Sequence, residues 1–250
     1  MIDALFDALG LARAAELLAL SPPGWGGNLL RGLWNSLQIA AGAFGLGLLI
    51  GTFGAFGKLY GGPVARDLLA VYTTVVRAVP ELVLILILYY AGTDMLNRAL
   101  VAMGHARVEV SGLAAGIAVL GVVQGAYATE VIRGAILAVP AGQIEAARAM
   151  GMPPGLLARR ITLPAMLATA IPGLANLWLI ATKDTALLAV VGFAELTQET
   201  RQAAGATKAH FTFFMAAGAL YLTVTLVSAR GFALLERRAR RGLPDPVGGR

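Results

Sequence analysis

The sequence predicts an all-α membrane protein with five transmembrane helices, and three observations carry that prediction. Of the 250 residues, 58% are hydrophobic and only 14% charged, where a soluble domain has roughly 45–50% and about 25%. The mean hydropathy is +0.73, and the 31 glycines fit a class in which glycine is more frequent than in soluble helices. Four charge-free runs, Gly32 to Gly57, Val110 to Thr129, Ala165 to Thr182 and Phe211 to Ala229, reach or approach the ~20 residues that a helix needs to cross a ~30 Å hydrocarbon core.

The elements follow in chain order. Residues 1–28 form an N-terminal segment outside the membrane core. Within it, Met1 to Leu20 mixes Leu5, Leu9, Leu17 and Leu18 with Asp3, Asp7, Arg13 and Glu16 and stops at Ser21-Pro22-Pro23-Gly24. It lacks the clean apolar h-region of a cleaved signal peptide, and its pattern predicts an interfacial amphipathic helix. Gly32 to Gly57 is the first span. Leu68 to Gly92 is apolar except for Arg77 and Glu81 beside Pro80, and neither flank is long enough to cross alone, so the stretch reads as one interrupted span. Val110 to Thr129, Ala165 to Thr182 and Phe211 to Ala229 are the third, fourth and fifth. Thr185 to Ala194 is too short to cross and reads as a re-entrant or interfacial return. The tail Gly242–Arg250 is low in complexity.

Charge then sets direction. The 58–67 and 130–164 loops and the tail from Arg230 hold 12 of the 20 Lys and Arg residues. The positive-inside rule places these on the cytoplasmic side, with the N-terminus periplasmic. The net charge of +6 belongs to a basic membrane protein and not to a nucleic-acid binder, because the arginines lie among apolar runs or at the C-terminus. With no cysteine, thiol nucleophiles, disulfides and thiolate metal sites are excluded. His105 and His210 stand too far apart in sequence to suggest a metal cage.

The loop 140–164, Pro140 to Pro164, is the most informative stretch. Pro140 suits a first helical turn, Gln143 to Met150 are mostly good helix formers, and Gly151 with Pro153-Pro154 ends the helix. A second short helix from Pro154 to Leu163 precedes the fourth span. Such a helix–turn–helix is by itself either a solvated connector or a docking device.

The spacing Glu145-Ala146-Ala147, three residues, Gly151, nine residues, Ile161-x-Leu163-Pro164 resembles the EAA loop of ABC importer permeases. Gly57-Lys58-Leu59, the run from Tyr72 to Leu84, Gly125 to Glu130, Lys183 to Leu187 and Leu235 to Arg238 are similar to the amino-acid branch over residues 29–241. They look most like the permeases for histidine, lysine, arginine, ornithine and opines. The resemblance implies a type I ABC importer transmembrane domain in a bacterial cytoplasmic (inner) membrane, whose loop docks into a cytoplasmic ATPase dimer. It implies a second permease chain, a paralogue or a second copy of this one, and a periplasmic or lipid-anchored solute-binding protein. It also implies that Glu145 caps or pairs at the ATPase, that Ala146 and Ala147 keep that contact close, and that Gly151 supplies the bend. Ile161, Leu163 and Pro164 would fix the loop against the membrane domain. No G-x-x-x-x-G-K-[ST] occurs, so ATP and Mg would sit on the partner ATPase and this chain would carry no cofactor.

Ionisable groups at membrane depth are costly and so are functional candidates. Arg77 and Glu81, four apart, are spaced to neutralise one another on a helix, with Pro80 able to open that helix to a pathway. Glu130 and Arg133 are spaced as an interfacial pair. Asp184, at the end of the fourth span, is the preferred contact for a cationic amino acid, with Lys183 either snorkelling outward or pairing with it. Asn176 and Trp178 are lesser candidates, and Phe213, Phe214 and Met215 read as packing. Arg77, Glu81, Glu130 and Asp184 thus mark the expected substrate pathway. A membrane enzyme is disfavoured because no Ser–His or paired-Asp arrangement recurs inside the spans. An ATP-independent transporter is the alternative that the spans alone would allow.

Overall fold

The structure, a computed structural model, describes residues 11–241, and every regular element among them is helical. The tail Gly242–Arg250 and the first half of the segment read as an interfacial helix lie outside the described residues. In order the helices are α1 (Leu11–Leu17), α2 (Gly26–Tyr60), α3 (Pro63–Ala78), α4 (Glu81–Ala102), α5 (Gly112–Leu137), α6 (Ala141–Ala149) and α7 (Pro154–Leu157). A π-helical turn, Ala158–Thr162, leads into α8 (Leu163–Asp184), a 3-10 helix (Thr185–Val191), α9 (Leu196–Thr207) and α10 (His210–Ala239). Among the described residues, five segments are long and apolar enough to cross a membrane: Gly26–Tyr60, Glu81–Ala102, Gly112–Leu137, Pro154–Val191 and His210–Ala239. α5 is the most buried of the five, and α4 and α10 the least.

The second span departs from its sequence reading. Leu68 to Gly92 is not one helix, because the chain breaks between α3 and α4. Pro80 has no N–H to donate and its ring would strike the carbonyl of Val76 in a continuous helix, and a residue before proline is driven to extended backbone. Val79 accordingly sits at φ −90° and ψ 137°. The break removes the helical spacing that was to pair Arg77 with Glu81. It places Arg77 in the last turn of α3 and Glu81 in the first turn of α4, where each charge complements its own helix dipole.

A proline also explains the π turn. Pro164 cannot bond back to Arg160, and widening the turn moves that carbonyl clear of the ring. Leu163 bonds instead to the carbonyl of Ala158.

Contacts divide the chain into two units, each drawing on three stretches. The first takes residues up to Ala43, Pro80–Gly121 and Ala181–Val224. One of its cores gathers Ile39, Ile85, Leu120, Leu188 and Phe193; another gathers Leu29, Leu196 and Phe213. Leu17 and Leu18, at the end of α1, pack on the second core, so this part of the N-terminal segment is anchored to protein. Phe213 is buried, whereas Phe214 and Met215 face outward.

The second unit takes Phe44–Val79, Val122–Ile180 and the chain from Thr225. Ala55, Ile132 and Ile136 form its core, with Leu59, Met166 and Leu174 against them. Here α2 and α5 cross closely at Gly51, where an added Cβ would lie 2.5 Å from the Cβ of Ala128. Small residues that let backbones meet are the usual device of membrane helix pairs.

Candidate functional site

The loop between the third and fourth spans is shaped by backbone chemistry. α6 ends in two bonds, from the Gly151 N–H to the Arg148 carbonyl and from the Met152 N–H to the Ala147 carbonyl, 2.9 and 3.0 Å. This is the Schellman closure, which needs a left-handed residue just past the helix. Gly151 supplies it at φ 75°, a conformation that disfavours any residue with a Cβ. Gly151 therefore makes the bend.

The residues expected at the coupling interface divide by exposure. Glu145 and Ala146 face outward, as do Met150, at 86% exposure, and Leu156. Ala147 is buried, so it packs against its own chain. Ile161 is half-buried, while Leu163 and Pro164 are exposed. The outer surface of the loop thus offers a carboxylate, a small residue and two apolar side chains.

A charged network lies in the same unit. Lys58, in the last turn of α2, donates to Glu130 Oε1 at 2.6 Å and to the Thr73 hydroxyl at 2.8 Å. Arg133 donates to Glu130 Oε2 through Nε at 3.1 Å and Nη2 at 2.9 Å. The side chains of Lys58 and Glu130 are only 13% and 19% exposed, and charge-assisted bonds to both carboxylate oxygens offset their removal from water. Arg77 stands over the Tyr127 ring, 5.8 Å from its centroid, within cation–π range. Glu130 therefore joins α2, α3 and α5. The sequence spacing showed the Arg133 contact but not the one from Lys58, which is 72 residues away.

Asp184 lies in the first unit. It is buried at 8% exposure, whereas Lys183 beside it is exposed. Successive helical residues point about 100° apart, so α8 turns one toward protein and the other away. α8 then tightens into the 3-10 helix, which closes on Gly192, at φ 84°, with the same pair of backbone bonds that closes α6. Asn176 is exposed. Trp178 donates to Ser228 at 2.9 Å and meets Phe44 edge-on at 5.5 Å, as a packing residue does.

Sequence reasoning missed Glu195. It is fully buried and caps α9, accepting from the Thr197 and Gln198 N–H groups at 2.8 and 2.7 Å. Its Oε2 also accepts from Ser36 at 3.3 Å and Tyr221 at 3.2 Å. Burial pushes its carboxyl above the ordinary glutamate range, with the four donors pulling the other way. A local signal was present: an acidic residue directly before the polar helix-forming stretch Leu196–Thr207. Its distant partners Ser36 and Tyr221 had no such signal. Close by, Asn35 donates to the Ala194 carbonyl at 2.7 Å. Asn35, Gln38, Tyr89 and Phe193 line a cavity of about 450 Å³, which has no carboxylate among its lining residues. No group of three or more metal-ligating side chains occurs among the described residues.

Residues 44–241 match the family described as binding-protein-dependent transport system inner membrane component. The chain is 41% identical over 231 residues to the nopaline transport system permease protein NocQ of Agrobacterium fabrum (strain C58 / ATCC 33970), covering 91% of this chain and 97% of that one. It is 37% identical over 234 residues to the octopine transport system permease protein OccQ of Rhizobium radiobacter, covering 93% and 99%. It is 39% identical over 220 residues to the histidine/lysine/arginine/ornithine transport system permease protein HisQ of Escherichia coli (strain K12), covering 88% and 96%. Among solved structures, a chain of an amino acid ABC transporter crystallised with histidines superposes with a TM-score of 0.73 at 29% identity, covering 86% and 95%. A chain of the MetNI methionine ABC transporter in an inward-facing conformation gives 0.70 at 21%, covering 88% and 99%, a likeness of fold.

Proposed function

From the premise that this chain belongs to the binding-protein-dependent transport system inner membrane components and is a permease subunit of an ABC amino-acid importer of the bacterial inner membrane, we propose that it carries cationic amino acids or opines inward. A solute-binding protein delivers the substrate, and a separate ATPase dimer holding ATP and Mg supplies the work. The N-terminus is periplasmic and the C-terminus cytoplasmic, which the distribution of lysine and arginine supports. A second permease chain completes the pathway. This chain holds no cofactor of its own.

The observation that carries the reading is the loop itself. Its outward face, Glu145, Ala146, Met150 and Leu156, is exposed, while Gly151 sets the bend and Ala147 is buried in the second unit. An ATPase closing on ATP pulls on the outer face. Ala147 passes the displacement to the spans, and the Lys58–Glu130–Arg133 network keeps α2, α3 and α5 moving together. Ile161, Leu163 and Pro164 hold the loop at the start of the fourth span. Asp184 is the carboxylate of this chain best placed to meet a substrate cation, and Arg77 and Glu81, at the break between α3 and α4, are further candidates.

Two reconstitution experiments in proteoliposomes test this. With Gly151→Asp, ATP hydrolysis should persist while uptake falls at least tenfold; unchanged uptake would remove the docking role. With Asp184→Asn, arginine or lysine uptake should fall more than uptake of a neutral amino acid. An equal fall for both would make Asp184 structural.

A further inference from the structure

A groove of about 550 Å³ opens beside the coupling loop in the second unit. Its lining is mostly apolar, with Phe56, Ile136, Ile144 and Met166 among it, and it includes Arg148 and Arg159. No carboxylate is among its lining residues. Phe56 lies in the last turns of α2, Ile136 in the last turn of α5 and Met166 in the first turn of α8. The groove therefore sits where three of the five spans reach the membrane surface. Phe56 and Tyr60 stack one turn apart with centroids 5.7 Å from each other, and Phe53, a turn earlier, is exposed. These residues extend an apolar path from the groove toward hydrocarbon, with aromatics at the interface as membrane proteins commonly have.

We propose that this groove binds one anionic glycerophospholipid of the surrounding bilayer, its headgroup phosphate between Arg148 and Arg159 and an acyl chain along Phe56 and Ile136. The lining offers what both parts of such a lipid need, two cations for the headgroup and apolar surface for a chain. Basic pockets between spans on the cytoplasmic side are known takers of anionic headgroups, and guanidinium groups match phosphate in a two-pronged geometry. A protein side chain is a poorer occupant, because nothing in the lining besides the two arginines offers charge to recognise it. The face concerned also differs from the one assigned to the ATPase. Ile144 and Arg148, four apart, lie on one side of α6, whereas Glu145 and Ala149 lie on another. The inference rests on the membrane placement of the family and not on ATPase docking, so either can fail without the other.

The test uses the complex isolated in mild detergent and stripped of lipid. It is titrated with phosphatidylglycerol or with phosphatidylcholine of identical acyl chains, and retained lipid is counted by native mass spectrometry. One phosphatidylglycerol per copy of this chain is expected, held at least tenfold more tightly than phosphatidylcholine. Arg148→Gln with Arg159→Gln should abolish that preference, and Arg148→Lys with Arg159→Lys should keep most of it. Equal retention of the two lipids by the wild type would overturn the proposal, as would a preference that survives the double glutamine change. Should the glutamine variant fail to assemble, the wild-type contrast between the two lipids decides alone.

Discussion

The coupling loop and the buried knot around Glu195 are organised in opposite ways. In the loop, every bond that sets its shape joins residues close in sequence, such as the Gly151 and Met152 N–H groups with the carbonyls of α6, and its outward side chains stay exposed. In the knot, a buried carboxylate gathers two local backbone donors and two hydroxyls, and Ser36 is 159 residues away. Removing one group from the loop changes a surface that another protein can meet. Removing one from the knot strands several buried donors at once. A region built for contact can be held by local geometry, while a region that ties distant helices together must spend long-range polar bonds inside protein.

That contrast can be broken from either side. The largest effect on stability is expected for Glu195→Ala, which leaves the Thr197 and Gln198 N–H groups and two hydroxyls without their acceptor. The loss should be on the order of 3 kcal/mol, read as a lower unfolding temperature of the detergent-solubilised chain. The knot also carries a pH signature. Because burial raises the Glu195 carboxyl, the folded state binds its proton more tightly than the unfolded state does. Wild-type stability should therefore decline as pH rises from the ordinary glutamate value through the raised one. Glu195→Gln should lack that decline; identical pH profiles would mean the donors cancel burial, and a rise with pH in the wild type that they outweigh it.

Next comes the pair of neighbouring alanines. Ala147→Leu overfills a packed position and should cost about 1–3 kcal/mol, while Ala146→Leu, on the exposed side, should leave the unfolding temperature almost unchanged. Equal melting of the two variants would erase the inner and outer faces of α6. A smaller loss than for Ala147→Leu is expected for Gly151→Val, about 1–2 kcal/mol for forcing a β-branched residue into left-handed backbone. Proteolysis should show that loss confined to the loop, with the spans as resistant as in the wild type.

What the sequence made legible follows the same division. The five spans and the helix–turn–helix of the loop were readable because hydrophobic run length and the Pro and Gly positions are local signals. Pro80 flagged the interruption of the second span, but treating α3 and α4 as one helix hid the consequence that Arg77 and Glu81 serve separate helix ends. Glu130 could be matched with Arg133 three residues on, whereas Lys58 came from another helix and no spacing rule reaches that far. Asp184 and Lys183 were indistinguishable as neighbouring charges until the turn of α8 buried one and exposed the other. The role of Glu195 in tying helices together was overlooked because its distant partners, Ser36 and Tyr221, lie on α2 and α10.

The most direct test of the account uses a feature of the sequence itself, the absence of cysteine. Single cysteines placed at Ala146 and Ala147 are then the only thiols on this chain. In the intact complex, treated with a short cross-linker carrying a maleimide at one end and a photoreactive group at the other, Ala146→Cys should cross-link this chain to the ATPase subunit and Ala147→Cys should remain unmodified. If Ala146→Cys reacts with a water-soluble maleimide as freely in the complex as in the isolated chain, and gives no cross-link, the outer face of α6 is not where the ATPase meets this permease.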